Sequence, residues 1–178
     1  HNIKVELTKN IKRIGNTDLA EIKFISNKEY STADIYTGNK LAAGGIMYAA
    51  GFPLGEQKFQ FNAGNVVAHA NIGIVQGYEI LHSSTTNKGM SGGPLINQSG
   101  KIVGIHGRGE RNEGNSDKRK TGINQGIPIS YYLEFEKYGY ISEKQTAGSS
   151  YDDYFALAAN ARRINQPQTV LRMTKKMK

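Results

Sequence analysis

The sequence has 178 residues, of which 38% are hydrophobic, and a formal net charge of +8. This length suits one substantial domain or two small ones, and no apolar run approaches the ~20 residues that a membrane-spanning helix needs. There are 21 glycines and no cysteine, which favours a turn-rich β protein and excludes disulfides, thiolate metal sites and a cysteine nucleophile.

Short apolar runs typical of β-strands alternate with turn signals along the first 130 residues. In chain order they are IKVEL (3–7), DLAEIKF (18–24), GGIMYAAGF (44–52), KFQF (58–61), NVVAHANIGIV (65–75), YEILHS (78–83), GPLIN (93–97), KIVGIHG (101–107) and INQGIPIS (123–130). Several short strands at this spacing predict a barrel or a sandwich. The segment Asn97–Gly100 separates two of the runs and predicts a hairpin, because glycine supplies a positive φ.

Helical patterns follow the strands. YYLEFEKY (131–138) predicts a short helix that ends at Gly139, and SEKQTAGSS (142–150) predicts a linker. Beyond it, YDDYFALAANARRI (151–164) and TVLRMTKKM (169–177) predict two more helices. Two interpretations stay open for these: the start of a repeat array that binds a protein partner, or helices that pack on the β domain.

Part of the positive charge lies in two clusters, at 108–120 and 172–178. Basic clusters can attract nucleic acid or anionic lipid. The first cluster also contains Glu110, Glu113 and Asp117 and no aromatic residue that could stack on bases. We therefore interpret the clusters as a solvated loop and a terminal tail, and expect neither a nucleic-acid partner nor a membrane partner.

The segment GMSGGPL (89–95) surrounds one hydroxyl with glycines. A backbone without side chains lets N–H groups approach a carbonyl oxygen on which charge develops, so Gly89 favours an oxyanion hole beside Ser91. Gly92 and Gly93 would leave room for a substrate. The alternative is a glycine-rich hairpin turn with an incidental serine.

GMSGGPL matches the Gly-x-Ser-Gly-Gly-Pro signature, and the sequence resembles bacterial trypsin-like serine proteases of the chymotrypsin fold. Three further motifs resemble the family in the same chain order: NTDLAEIKF (16–24), IVGIHGRG (102–109) and GINQGIPIS (122–130). The resemblance implies an all-β protein with two barrels, the first partial and the second complete, and a C-terminal helical extension. It implies a protein or peptide substrate, no cofactor, no metal, and a secreted or periplasmic location.

The resemblance also implies roles for particular residues. Ser91 would be the nucleophile, Asp18 would orient the catalytic imidazole, and the N–H groups of Gly89 and Ser91 would form the oxyanion hole. An aspartate in a turn or at the start of a strand is the alternative interpretation of Asp18. Met90 departs from the animal pattern, in which an acid at that position pairs with a newly cut N-terminal amine.

No histidine occupies the expected place of the general base, which in this family precedes the aspartate. The sequence has His1, His69, His82 and His106, and only the first of these precedes Asp18. Three interpretations stay open: the base lies upstream in a longer parent chain, His1 serves as the base, or the domain is a non-catalytic relative that binds peptide. Under the first interpretation this chain alone would have little or no activity.

SSTTNKGMSGGPL…IVGIHG resembles glutamyl endopeptidases at two positions that face the substrate, Thr86 and His106. A hydroxyl and an imidazole that converge on a pocket could bind a carboxylate, which predicts a preference for Glu on the acyl side of the scissile bond. Gly107 would also line this pocket, and extended substrate would add as a strand along His106–Arg108. The alternative for His106 is a strand histidine bonded within the barrel.

These observations divide the chain into three parts. Residues 1–43 would be a remnant of the first barrel and the connection between barrels, 44–141 the second barrel with its closing helix, and 142–178 the linker and the helical extension. The expected function is serine endopeptidase chemistry. The competing class is a pseudoprotease or peptide-binding module, which the absence of an imidazole beside Ser91 would distinguish.

Overall fold

The computed structural model describes residues 6–54, 58–70, 75–109 and 122–141. Eight strands, one α-helix and a short 3₁₀ helix (Val75–Gly77) occupy these ranges. The strands are β1 (Glu6–Arg13), β2 (Ala20–Ile25), β3 (Ile46–Gly51), β4 (Gln60–His69), β5 (Ile80–His82), β6 (Pro94–Asn97), β7 (Ile102–Arg108) and β8 (Asn124–Pro128), and the helix is α1 (Ser130–Tyr138). The predicted linker and helices of 142–178 lie outside the described residues.

Strands β3 to β8 close into a six-stranded antiparallel barrel in the order β3-β4-β5-β8-β7-β6. Alternating residues point inward, as the pleat of a strand requires. A cluster of small and branched side chains fills the interior: Met47, Ala49, Val66, Ile80, Leu95 and Val103. Because the barrel closes within 46–128, the segment that carries the predicted nucleophile has a complete scaffold of its own.

Strands β1 and β2 form a separate two-stranded antiparallel sheet. The sheet carries exposed apolar side chains, namely Leu7, Ile11, Ile22, Phe24 and Ile25. It is anchored where β1 ends, because Ile14 is buried and Lys12 forms an ion pair with Glu136 of α1. The sheet is the part of the first barrel that this chain contributes.

The connection between the two sheets follows the barrel wall. Ile35 makes a parallel bridge with Ile102, and the Tyr36 N–H donates to the Ile102 carbonyl at 2.8 Å. Tyr36 and Leu41 pack against the barrel core. The connection is therefore held to β7 by main-chain bonds.

The predicted hairpin and helix are present at the expected places. Gly100 has φ 76° and donates to the Asn97 carbonyl at 3.0 Å, and α1 ends at Gly139 with φ 75°. One expectation was wrong: KFQF and NVVAH form a single strand, β4, rather than two. The backbone of Asn62 to Gly64 continues the pairing with β3 through the gap that the sequence suggested.

Candidate active site

Ser91 lies in the connection between β5 and β6, in a turn that main-chain hydrogen bonds hold in place. The Met90 N–H donates to Asn87 O at 3.1 Å and the Gly93 N–H donates to Met90 O at 3.0 Å. The Gly92 N–H and the Gly93 carbonyl both bond to the main chain of His106 on β7, at 2.7 and 2.9 Å. The Met90 side chain is buried beneath the turn, so Ser91 is exposed on a rigid support.

The three positions near Ser91 that carry glycine require it for different reasons. Gly89 has φ 98°, and a β-carbon there would lie 2.5 Å from the Leu54 nitrogen. Gly92 has φ 91° and faces open space, as expected of a position that leaves room for substrate. Gly93 differs from expectation: a β-carbon there would lie 2.0 Å from the Ala50 carbonyl oxygen, so it is a glycine because β3 approaches it, not because substrate does.

The predicted oxyanion-hole donors are available. Among the described residues, neither the Gly89 amide nor the Ser91 amide donates a hydrogen bond to another group. Two amides without acceptors on a glycine-rich turn are free to donate to an anionic oxygen, as an oxyanion hole requires.

The Ser91 hydroxyl donates to the Gly107 carbonyl at 3.1 Å. No imidazole nitrogen of a described residue hydrogen-bonds the Ser91 oxygen. His69 bonds to the Leu41 carbonyl at 2.7 Å, and His1 lies outside the described residues. The general base that Ser91 would require is therefore not supplied by the part of the chain that the structure describes.

Asp18 is exposed and is fixed at two atoms. Its N–H donates to the Gln76 carbonyl at 3.0 Å, and its Oδ2 accepts a hydrogen bond from the Tyr78 hydroxyl at 2.6 Å. Its other carboxylate oxygen, Oδ1, accepts no hydrogen bond from the described residues. An aspartate that orients an imidazole needs one oxygen available in this way.

Gly107 links the predicted nucleophile to the predicted orienting acid. Its carbonyl accepts the Ser91 hydroxyl, and a β-carbon on it would lie 2.4 Å from the Tyr78 hydroxyl oxygen that bonds Asp18. These contacts hold Asp18 Oδ2 and Ser91 Oγ at most about 12 Å apart.

His106 lies inside the barrel, where its ring contacts that of His82. His82 Nε2 and His106 Nδ1 are 3.3 Å apart, and both side chains are almost fully buried. Burial lowers the pKa of His106 to about 4, although a hydrogen bond to the Gln125 main chain opposes the shift. Burial, and then the charge of His106, lowers the pKa of His82 to about 3, so both rings are neutral at pH 7.

The hydrogen bonds around these rings assign their tautomers. His82 Nδ1 is buried without a partner, so the proton of that ring is on Nε2 and is donated to His106 Nδ1. A hydrogen bond between His106 and the Gln125 main chain favours the charged ring, but burial outweighs it. The expected charge assistance from a protonated imidazole is therefore not available at neutral pH.

Thr86 is half-buried near the end of β7. A β-carbon on Gly109 would lie 3.9 Å from the Thr86 hydroxyl and 3.5 Å from the Asn124 side-chain oxygen. Asn124 in turn donates to the Ser84 carbonyl at 2.8 Å. Thr86 therefore lies close to Gly109 and Asn124, and Asn124 is a neighbour that the sequence did not indicate.

The structure also brings Tyr78 and Arg108 into the site, which the sequence did not indicate. The Arg108 guanidinium lies 4.0 Å from the centre of the Tyr78 ring, and its Nη2 donates to the Gln76 side chain. The only signal was Gly107, whose missing side chain leaves space for the Tyr78 hydroxyl.

The described residues contain no group of three or more His, Asp or Glu side chains that could hold a metal ion. None of the helices described is long and apolar enough to cross a membrane.

Comparison with known proteins agrees with this geometry. The model of the trypsin-like peptidase domain family matches residues 3–105, and the chain belongs to that family. Its fold is the chymotrypsin-like double barrel with a partial first barrel, and its class is that of the trypsin-like serine proteases.

Among solved structures, the HtrA-type protease AlgW with a tripeptide is similar over 75% of this chain and 42% of that one, with 25% identity and a TM-score of 0.56. An alanine variant of AlgW, also with a tripeptide, is similar over 77% of this chain and 45% of that one, with 22% identity and the same TM-score. The chain thus spans less than half the length of these proteins. No curated protein sequence matches it.

Proposed function

We propose that this chain is the nucleophile-bearing part of a serine endopeptidase that hydrolyses protein or peptide substrates. The arrangement around Gly107 supports the proposal most directly. The Gly107 carbonyl accepts the Ser91 hydroxyl, and the Tyr78 hydroxyl that donates to Asp18 occupies the space where a Gly107 side chain would lie. Gly107 thus connects the candidate nucleophile to the candidate orienting acid, as expected if both belong to one active site.

The proposed reaction is acyl transfer to Ser91. The serine oxygen bonds to the carbonyl carbon while the imidazole removes its proton, and the Gly89 and Ser91 amides stabilise the negative charge on the carbonyl oxygen. The C–N bond then breaks as the imidazolium gives its proton to the leaving amine. Water hydrolyses the acyl-serine by the same steps. Asp18 keeps the imidazole in the reactive tautomer, and no cofactor is required.

The general base is proposed to come from residues upstream of residue 1 in a parent chain. His82 and His106 are engaged with each other inside the barrel, and His69 is bonded to the connection between the sheets. His1 would be the base under the second interpretation, but a terminal residue is held less firmly than the reaction requires.

The test compares this chain with its full-length parent on a mixed pool of quenched fluorescent peptides. We expect cleavage by the parent, loss of cleavage in the parent with Ser91→Ala, and no cleavage by the 178-residue chain. A fluorophosphonate probe should label Ser91 in the parent far faster than in the short chain. An inactive parent, or a parent whose activity survives Ser91→Ala, would refute the proposal.

The proposed specificity is for Glu on the acyl side of the scissile bond, with Thr86 and His106 as the recognising residues. Thr86 supports it by its position near Gly109 and Asn124. Recognition by His106 requires its buried ring, which contacts His82, to become accessible to the substrate carboxylate. Chromogenic peptides that differ only at this position test the idea. Equal cleavage after Leu or Ala, with no effect of His106→Ala, would remove it.

A second candidate is a non-catalytic module that binds an extended peptide. The absence of an imidazole beside Ser91 among the described residues favours it. Both edges of His106 are paired, with Gly92 and Gly93 on one side and Gly126 on the other, so an added strand would begin after His106. Peptide binding by the parent without turnover, unchanged by Ser91→Ala, would select this function. The predicted C-terminal helices, proposed as a surface for a protein partner, lie outside the described residues.

A further inference from the structure

Tyr78 is a buried residue in the segment before β5, and its hydroxyl contacts Asp18. Only 2% of its surface is exposed, and the hydroxyl donates to Asp18 Oδ2 at 2.6 Å. Two residues earlier, the Gln76 carbonyl accepts the Asp18 N–H, and Gln76 itself has a φ of 66°, which a side-chain-bearing residue rarely adopts. One short segment therefore fixes both the main chain and the carboxylate of Asp18.

Neighbours on β7 hold the Tyr78 ring from two directions. The ring atoms closest to the hydroxyl occupy the space that a side chain on Gly107 would fill, with separations of 2.6 and 2.9 Å from the position of its β-carbon. The Arg108 guanidinium covers the ring face at 4.0 Å and is itself bonded to Gln76. The phenol can shift little without displacing β7, which is the strand that accepts the Ser91 hydroxyl.

We propose that Tyr78 is a positioning residue for the peptidase reaction: its hydroxyl fixes one oxygen of Asp18 and leaves the other for the imidazole. The inference rests on the proposed function, in which Asp18 orients the general base. It also accounts for the glycine at position 107. A larger residue there would expel the phenol and release Asp18.

The phenol is suited to this role because it stays protonated. Burial and the hydrogen bond to Asp18 raise the pKa of Tyr78 well above its usual range. It therefore remains a neutral donor at neutral pH. Hydrogen bonds to charged groups are stronger than those between neutral groups, so the contact is expected to restrict the carboxylate.

The catalytic test uses the full-length parent with Tyr78→Phe, which keeps the ring under Arg108 and removes only the hydroxyl. We expect kcat to fall about tenfold with KM unchanged. The acid limb of the kcat/KM profile should move to higher pH, because a carboxylate without this donor stabilises the imidazolium more. The matched control is Tyr30→Phe, which removes a hydroxyl bonded to Ser26 at 2.9 Å in an exposed segment and should change neither quantity.

A second measurement does not depend on catalysis. In the 178-residue chain, the ionisation of Tyr78 is followed by ultraviolet difference absorbance with and without Asp18→Asn. The neighbouring carboxylate helps to raise the pKa of this phenol, so we expect the variant to titrate at lower pH. An unchanged titration would overturn the inference, because the contact on which it depends would be absent.

The outcomes separate the inference from the function on which it rests. If Asp18→Asn lowers parental activity by about 10⁴-fold and Tyr78→Phe has no effect, the function stands and the positioning role is wrong. A loss in Tyr78→Phe that is equal at all pH values, with an unshifted acid limb, indicates only a structural role and also overturns it. An inactive parent, or one indifferent to Asp18→Asn, refutes both.

Discussion

Acid should destabilise this protein through the buried histidine pair of the barrel. The folded state holds the pKa of His82 at about 3 and that of His106 at about 4, whereas both would titrate near 6.5 in the unfolded chain. At pH values between the folded and unfolded pKa, the two histidines bind protons in the unfolded state but not in the folded state. The free energy of unfolding is therefore highest above pH 6.5 and falls as the pH decreases from there toward 4.

The magnitude follows from the two shifts. Each pKa unit corresponds to about 1.4 kcal/mol, so at pH 5 each histidine should lower the free energy of unfolding by about 2 kcal/mol. Together they should remove about 4 kcal/mol between pH 7.5 and pH 5, with a limiting slope of about 2.7 kcal/mol per pH unit. Such a loss is a large fraction of the stability of an ordinary domain.

Urea unfolding at constant temperature measures this slope, followed by tyrosine fluorescence because the sequence has 10 Tyr and no Trp. His82→Leu should halve the slope, because one of the two groups no longer titrates. The matched control is Ser84→Ala, a fully buried and non-titrating neighbour on the same connection, which should lower stability equally at every pH. Equal stability at pH 5 and pH 7.5, or an undiminished slope in His82→Leu, would refute the reasoning.

Five further substitutions test the packing and the turns, each by urea unfolding at neutral pH. Gly89→Ala should lower the free energy of unfolding by about 3 kcal/mol, because the residue has a positive φ and a β-carbon there would overlap Leu54. Gly100→Ala should lower it by about 1 kcal/mol, because this position has a positive φ but open surroundings. Equal losses for the two variants would contradict this account. Leu95→Ala in the barrel core should lower the free energy of unfolding by about 3 kcal/mol, and Leu54→Ala on the surface by less than about 0.5 kcal/mol. A reversed order would mean that the barrel packs differently. Asn97→Ala should lower the free energy of unfolding by about 2 kcal/mol, because the side-chain oxygen of Asn97 accepts hydrogen bonds from two backbone amides of its own turn at 3.0 Å. An unchanged stability would show that these two hydrogen bonds are dispensable.

Local patterns in the sequence predicted most of the β elements. Alternating apolar residues mark the barrel strands, and the glycines at 100 and 139 mark a hairpin and a helix end because positive φ is a local requirement. The division of β4 failed because Asn62 and Gly64 lower strand propensity, while pairing with β3 decides the structure there.

Long-range contacts within the site were harder to predict. The serine turn was visible because its glycines are adjacent to Ser91. The contact of Tyr78 with Asp18 joins residues 60 positions apart, and the burial of His106 against His82 depends on which barrel face each strand presents. A histidine on an apolar strand has the same pattern whether it faces a substrate or another histidine, so only the register could distinguish them.

The two-stranded sheet is expected to promote association between copies of this chain in solution. The barrel closes on itself, whereas β1 and β2 each have one edge without a strand partner among the described residues, and both carry exposed apolar side chains. An isolated pair of strands is marginally stable, and open edges with apolar side chains promote association between copies. We expect preparations of the 178-residue chain to self-associate with increasing concentration through this sheet while the barrel remains folded. Oligomers that form in this way would share an interface of open strand edges and would dissociate when those edges are paired by a longer chain.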